Sequence, residues 1–74
     1  MERTLQGKME TTLNSKLIDA IAYDEKTQRL RIFMSNGQRR EYQDVPASVV
    51  RKLAAARSPG HFYSNEIRGK YRSL

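Results

Sequence analysis

The sole histidine, His61, is the natural general base in a chain that has no cysteine, and it stands in the run Pro59-Gly60-His61-Phe62 with no evident partner to orient it. Its residue context is that of a turn, and no catalysis is expected of it. The carboxylates Asp19, Asp24, Glu25, Glu41, Asp44 and Glu66 could supply a pair in space, but they suit turns, caps and cross-strand pairs better than a clustered metal site. Without cysteine there is no thiolate zinc site, no disulfide framework and no sulfur nucleophile. The glycines of Asn36-Gly37 and Pro59-Gly60 belong to turns, and neither a phosphate loop nor a dinucleotide fingerprint is present. The expectation is a protein that is not an enzyme and carries neither metal nor cofactor.

What remains is positive charge. Fourteen Lys and Arg stand against eight Asp and Glu, for a formal net charge of +6, a balance that favours a polyanionic partner. Two groups combine cations with an aromatic residue: Arg29, Arg31 and Arg39 around Phe33, and Arg68, Lys70 and Arg72 around Tyr71. Both would suit nucleic acid, with arginines on phosphates and a ring for a base. Each has a plainer reading beside it. Phe33 would be covered by one of the termini above a solvated rim of arginines, and Tyr71 would pack while the charges around it keep the end of the chain soluble.

These groups must be positioned by a small frame. A chain of 74 residues makes one domain and buries only about 60% of the surface exposed by its unfolded form, so the core is thin and a large enclosed pocket is not expected. Residues 1–14 lack periodicity and apolar content and read as a flexible leader, neither signal peptide nor membrane span, with the domain occupying 15–74. Leu17 to Tyr23 is a β-rich apolar run that ends in the turn residues Asp24 to Thr27. Gln28 to Ser35 alternates, with Leu30, Ile32 and Met34 on one face and Arg29, Arg31 and Phe33 on the other.

Asn36-Gly37 signals a hairpin into Gln38 to Asp44. A two-residue loop would set polar side chains opposite the whole apolar row of the preceding strand. A three-residue loop, Ser35-Asn36-Gly37 with a left-handed Gly37, instead aligns Leu30 with Tyr42, Arg31 with Glu41 and Phe33 with Arg39. The bulged loop is therefore expected.

Pro46 suits a helix start, and Val49, Val50, Leu53 and Ala56 form a stripe over 46–57, before Ser58-Pro59-Gly60 ends the helix. A short helical or irregular tail follows, with a turn near Asn65 to Gly69. The fold class is thus α+β: a three-stranded antiparallel β-meander, near 17–24, 28–35 and 38–44, with the helix packed on the face that bears Leu30 and Ile32.

The ordered set Ser15, Ile18, Ile21, Tyr23-Asp24, Leu30, Ile32, Asn36-Gly37, Tyr42, Val45-Pro46, Val49, Leu53, Ala56, Ser58, Gly60, Phe62-Tyr63, Ile67-Arg68 and Tyr71 resembles the KTSC domain family. The chain departs from the family's usual pattern at Arg40, where an aromatic is common, at Ser64, where Asn is common, and at Met34, where Phe is common. The resemblance implies a small α+β module of the kind found alone in bacterial and phage proteins and at the C-terminus of some lysyl-tRNA synthetases. That setting points towards RNA. The functional expectation is a non-enzymatic accessory module, cytoplasmic and monomeric, that binds RNA or other nucleic acid. The alternative is a protein-interaction domain recognising an acidic surface or adding a partner strand to a sheet edge.

Overall fold

The computed structural model describes residues 8–74 together with the backbone of 3–5. One antiparallel sheet holds six strands in sequence order: β1 (Arg3–Leu5), β2 (Lys8–Thr12), β3 (Ile18–Asp24), β4 (Arg29–Met34), β5 (Arg39–Gln43) and β6 (Arg72–Ser73). Between β5 and β6 come helix α1 (Ala47–Ala55) and α2 (Pro59–Phe62), the latter running on as a π-helical turn (Tyr63–Ile67). The α+β class and the helix-covered sheet are as expected.

The three central strands form where alternation predicts them. In β4 the side chains of Leu30 and Ile32 are fully buried while Arg29 and Arg31 are exposed. In β3 the apolar residues Ile18, Ile21 and Tyr23 do not follow a strict period of two. A bulge absorbs the difference: Ile18 pairs with Met34 and Ala20 with Phe33, so Asp19 is the extra residue that lets both isoleucines face inward. The β3–β4 turn is tied by Asp24, whose Oδ1 accepts the N–H of Lys26 at 3.0 Å.

After β4 the chain turns through Ser35, Asn36 and Gly37, with Gly37 at φ +90° and its N–H donating to the Met34 carbonyl at 3.0 Å. The resulting register pairs Leu30 with Tyr42, Arg31 with Glu41 and Phe33 with Arg39, which is the bulged loop and not the two-residue turn.

Val50 and Leu53 of α1 complete one core with Leu30, Ile32, Tyr42, Val45 and the β3 residues. Pro46 precedes α1 as its N-cap, so the helix begins one residue later than expected, and it ends at Ala55. Pro59 and Gly60 do more than stop it, because they form the first turn of α2, where a proline lacking its N–H costs nothing. The π-helical turn closes with the Arg68 N–H on the Tyr63 carbonyl at 2.9 Å, and its wider spacing brings both Tyr63 and Ile67 into the core.

Two expectations are corrected. The sheet has six strands, not three, and residues 8–12 are not a flexible leader. Lys8, Glu10 and Thr12 of β2 pair with Asp24, Ala22 and Ala20 of β3, while Met9 and Leu13 pack on the core. Residues 1, 2, 6 and 7, also assigned to that leader, lie outside the described residues. At the other end, β6 pairs Ser73 with Tyr42 and Arg72 with Gln43, and the Leu74 N–H donates to the Glu41 carbonyl at 2.8 Å. Both additions rest on backbone groups of edge strands that would otherwise be unpaired. Such pairing leaves little mark on side-chain pattern.

Candidate nucleic-acid interface

Helices cover one face of the sheet and leave the other open. Cross-strand partners share a face, so the register orders the open one into rows. Thr12, Ala20, Phe33 and Arg39 form one row, and Glu10, Ala22, Arg31 and Glu41 the next. Lys8, Asp24 and Arg29 form a third, and Arg72 lies beside Gln43 at the β6 side. The structure therefore brings together five of the seven residues singled out from the sequence: Arg29, Arg31, Phe33, Arg39 and Arg72. Arg72 joins them only because the tail returns as a strand.

The remaining two stand elsewhere. Arg68 follows the π-helical turn and, with Arg40, lies close enough to Tyr42 to act on its phenol, on the helix-covered side of β5. Lys70 lies in the turn after it, with its N–H on the Ile67 carbonyl at 3.0 Å. Tyr71 is half-buried against the core, which is the packing reading of that residue and not a free ring for a base. The tail cluster is thus not a single surface.

Ala20 and Ala22 give the centre of the open face a low floor. Beside it lies a shallow trough of about 390 Å³, lined by Lys8, Glu10, Ala22, Asp24, Arg29 and Arg31 among others. Phe33 stands one row away, half-buried, and is absent from the residues that pack on the core. Lys8 and Glu10 escaped the sequence reading because they fell in the presumed leader; the polar-apolar-polar order of Lys8-Met9-Glu10 was the signal there to be used.

The charges on this face are interleaved. Asp24 lies between Lys8 and Arg29, and the Arg31 Nε donates to Glu41 Oε1 at 2.6 Å. Those two side chains are 47% and 38% exposed, and a pair in such a setting is worth only about 0–1 kcal/mol. Arg31 can therefore exchange a carboxylate for a phosphate at little cost, whereas a buried pair would hold it. Arg39 has no ion-pair partner among the described residues.

The covered face is chemically closed by comparison. The Tyr23 hydroxyl donates to the Val45 carbonyl at 2.6 Å, and the Tyr42 and Tyr63 hydroxyls share a hydrogen bond of 2.7 Å, their rings edge to face with centroids 6.0 Å apart. Burial, reinforced by the bond to Tyr63, pushes the Tyr42 phenol up to about 12, with Arg40 and Arg68 pulling against it. Burial also raises the Tyr23 phenol. These hydroxyls hold protons and hydrogen bonds firmly and offer nothing to a ligand. His61 is exposed on α2 and has no side-chain hydrogen bond among the described residues, and no three of their His, Asp and Glu side chains cluster to hold a metal.

Among curated proteins none matches the chain. A solved structure of a KTSC domain protein from Yersinia pestis is similar to it throughout, with a TM-score of 0.84, 25% identity, and coverage of 90% of this chain and 94% of that one. The KTSC domain model matches residues 14–71, most of the chain, and the chain belongs to the KTSC domain family.

Proposed function

We propose that the protein is a non-enzymatic, cytoplasmic, monomeric module that binds RNA through the open face of its sheet. The observation that carries this reading is that Arg31 and Arg39 flank a half-buried Phe33, with Arg29 and Arg72 farther along the same sheet face, the one that no helix covers. Arginine forks suit phosphate oxygens, and a ring at the surface gives a base something to stack on. The occurrence of KTSC domains at the end of some lysyl-tRNA synthetases makes RNA the nearer choice over DNA. Binding through phosphates carries little sequence preference.

Partner-strand addition on the β5 side would have to use the outer edge of β6 or displace it. The edge of β5 is already occupied by β6 at Tyr42 and Gln43, and by Leu74 at Glu41. No helix among the described residues is long and apolar enough to cross a membrane.

Titration of tRNA and duplex DNA at two salt concentrations tests the proposal. Affinity for tRNA is expected to fall steeply with salt, and Phe33→Ala is expected to weaken it by about 1–3 kcal/mol. A flat salt response, or tRNA binding unchanged in both Phe33→Ala and Arg31→Ala, would remove the sheet face from consideration. Capture of an acidic protein with no binding of tRNA would favour the interaction-domain reading instead.

A further inference from the structure

A second concavity shares no lining residue with the open sheet face. Three segments line it as an open surface depression: residues 14–17 before β3, Arg57 and Ser58 between the helices, and Pro59, Gly60 and His61 of α2 with Ser64 and Asn65 of the π-helical turn. Its volume is about 580 Å³, which leaves room for more than a bare phosphate.

The composition of this cleft is one-sided. Lys16, Arg57 and His61 line it, one from each segment, the other polar lining groups are Asn and Ser, and no Asp or Glu borders it. This contrasts with the sheet face, where every row but one carries a carboxylate. None of the three basic side chains has an ion pair among the described residues. Ser15 adds a directed hydroxyl: its Oγ accepts the N–H groups of Leu17 at 3.2 Å and Ile18 at 3.3 Å, which leaves its own proton to donate.

One wall is apolar. Leu17 is 40% exposed, one of only two large hydrophobic side chains so exposed among the described residues. It is held there by Gly60, where a Cβ would lie 3.0 Å from Leu17 Cβ and 3.5 Å from Ser15 Oγ. A glycine at that position lets α2 approach the segment before β3 closely enough to shape the cleft.

We infer that this cleft binds a phosphomonoester carried on an apolar or aromatic body, the chemistry of a mononucleotide. Arg57 and Lys16 hold the phosphate, and Leu17 supports the face of the base. The absence of bordering carboxylates disfavours cations, and the unpaired guanidinium and ammonium groups favour a phosphate-bearing ligand over a neutral nucleoside. The site stands independently of the RNA reading of the sheet face. A free mononucleotide and the phosphorylated end of an RNA strand present the same group.

Amide chemical-shift titrations of the full chain with adenosine 5′-monophosphate, adenosine and inorganic phosphate test this. The monophosphate is expected to shift the amides of residues 14–17 and 57–65, and to bind at least about tenfold more tightly than adenosine. Arg57→Ala and Lys16→Ala should each weaken it by about tenfold or more. Both side chains are exposed, and unchanged melting curves would show that the loss is not one of folding. The double variant Arg29→Ala/Arg39→Ala should leave monophosphate binding intact even if it abolishes tRNA binding, which separates this site from the sheet face.

Binding of adenosine as tight as that of the monophosphate would overturn the inference. So would shifts confined to the sheet, or an Arg57→Ala variant that binds normally. Given binding, displacement of the monophosphate by a 5′-phosphorylated RNA but not by its 5′-hydroxyl twin assigns the site to RNA ends. Displacement by neither assigns it to free nucleotides.

Discussion

Ile32 and Phe33 are neighbours in β4 and point to opposite faces of one sheet. Ile32 is fully buried among twelve core residues, beside tyrosines whose hydroxyls are all paired. Phe33 is half-buried on a face of arginines, alanines and carboxylates, where the one ion pair among the described residues is exposed and weak. The covered face has its polar groups satisfied within the chain and has no chemistry left over. The open face has cations whose partners are loosely held and an apolar ring outside the core. A small domain with a thin interior thus keeps stability on one side of a sheet and binding capacity on the other, and substitutions on the two sides should report different things.

The sharpest break in that comparison comes from the neighbours themselves. Ile32→Ala should cost about 2–5 kcal/mol of stability, since it empties a fully enclosed site, whereas Phe33→Ala should cost about 1 kcal/mol. Urea unfolding measures both. Equal losses would make Phe33 a core residue and end the distinction between the faces.

Next in size is the tyrosine pair. Tyr42→Phe and Tyr63→Phe should each destabilise by about 1–3 kcal/mol, by leaving one buried hydroxyl alone, and the double variant should cost less than the sum. The pH dependence follows from the Tyr42 phenol, raised from 10.0 to about 12. The folded chain holds that proton more tightly than the unfolded one. The pair's contribution is therefore fully present below pH 10 and is lost as pH rises from there to about 12. Thermal melts across that window should fall less steeply for Tyr42→Phe than for the parent.

The hairpin keeps the faces apart, and Gly37→Ala should cost about 1–2 kcal/mol. A Cβ there meets nothing within 4 Å, so the penalty is the left-handed backbone at φ +90° alone. A larger loss, or altered Leu30–Tyr42 contacts by NMR, would mean that the turn also specifies register. Smallest is Arg31→Ala, expected to change stability by no more than about 1 kcal/mol while reducing the salt slope of tRNA binding by about one unit. A large loss of stability with no change in slope would show the Glu41 pair to be structural.

The central hairpin was legible because its information is local. Alternation in residues 28–35, the Asn36-Gly37 turn and the demand that Tyr42 face the apolar row leave one register that satisfies all three. The α1 stripe was legible for the same reason, and the resemblance carried by scattered residues from Ser15 to Tyr71 was confirmed over residues 14–71. The site was legible in part. Arg29, Arg31, Phe33 and Arg39 could be placed on one face by counting, but Arg72 joined them through β6, and Arg68 and Lys70 were drawn elsewhere by the π-helical turn.

The sequence alone therefore determined the order of the three central strands and α1, the identity of the two sheet faces and the surplus of positive charge, all of which follow from periods of two to four residues and from composition. Tertiary structure decided which edges were extended, where the tail's cations went, and that Lys16, Arg57 and His61 should border one cleft. The physical reason is the range of the interactions. Backbone pairing of β2 and β6 depends on donors and acceptors that every residue carries, and the approach of α2 to residues 15–17 depends on the missing side chain of Gly60, so neither is written in any local pattern.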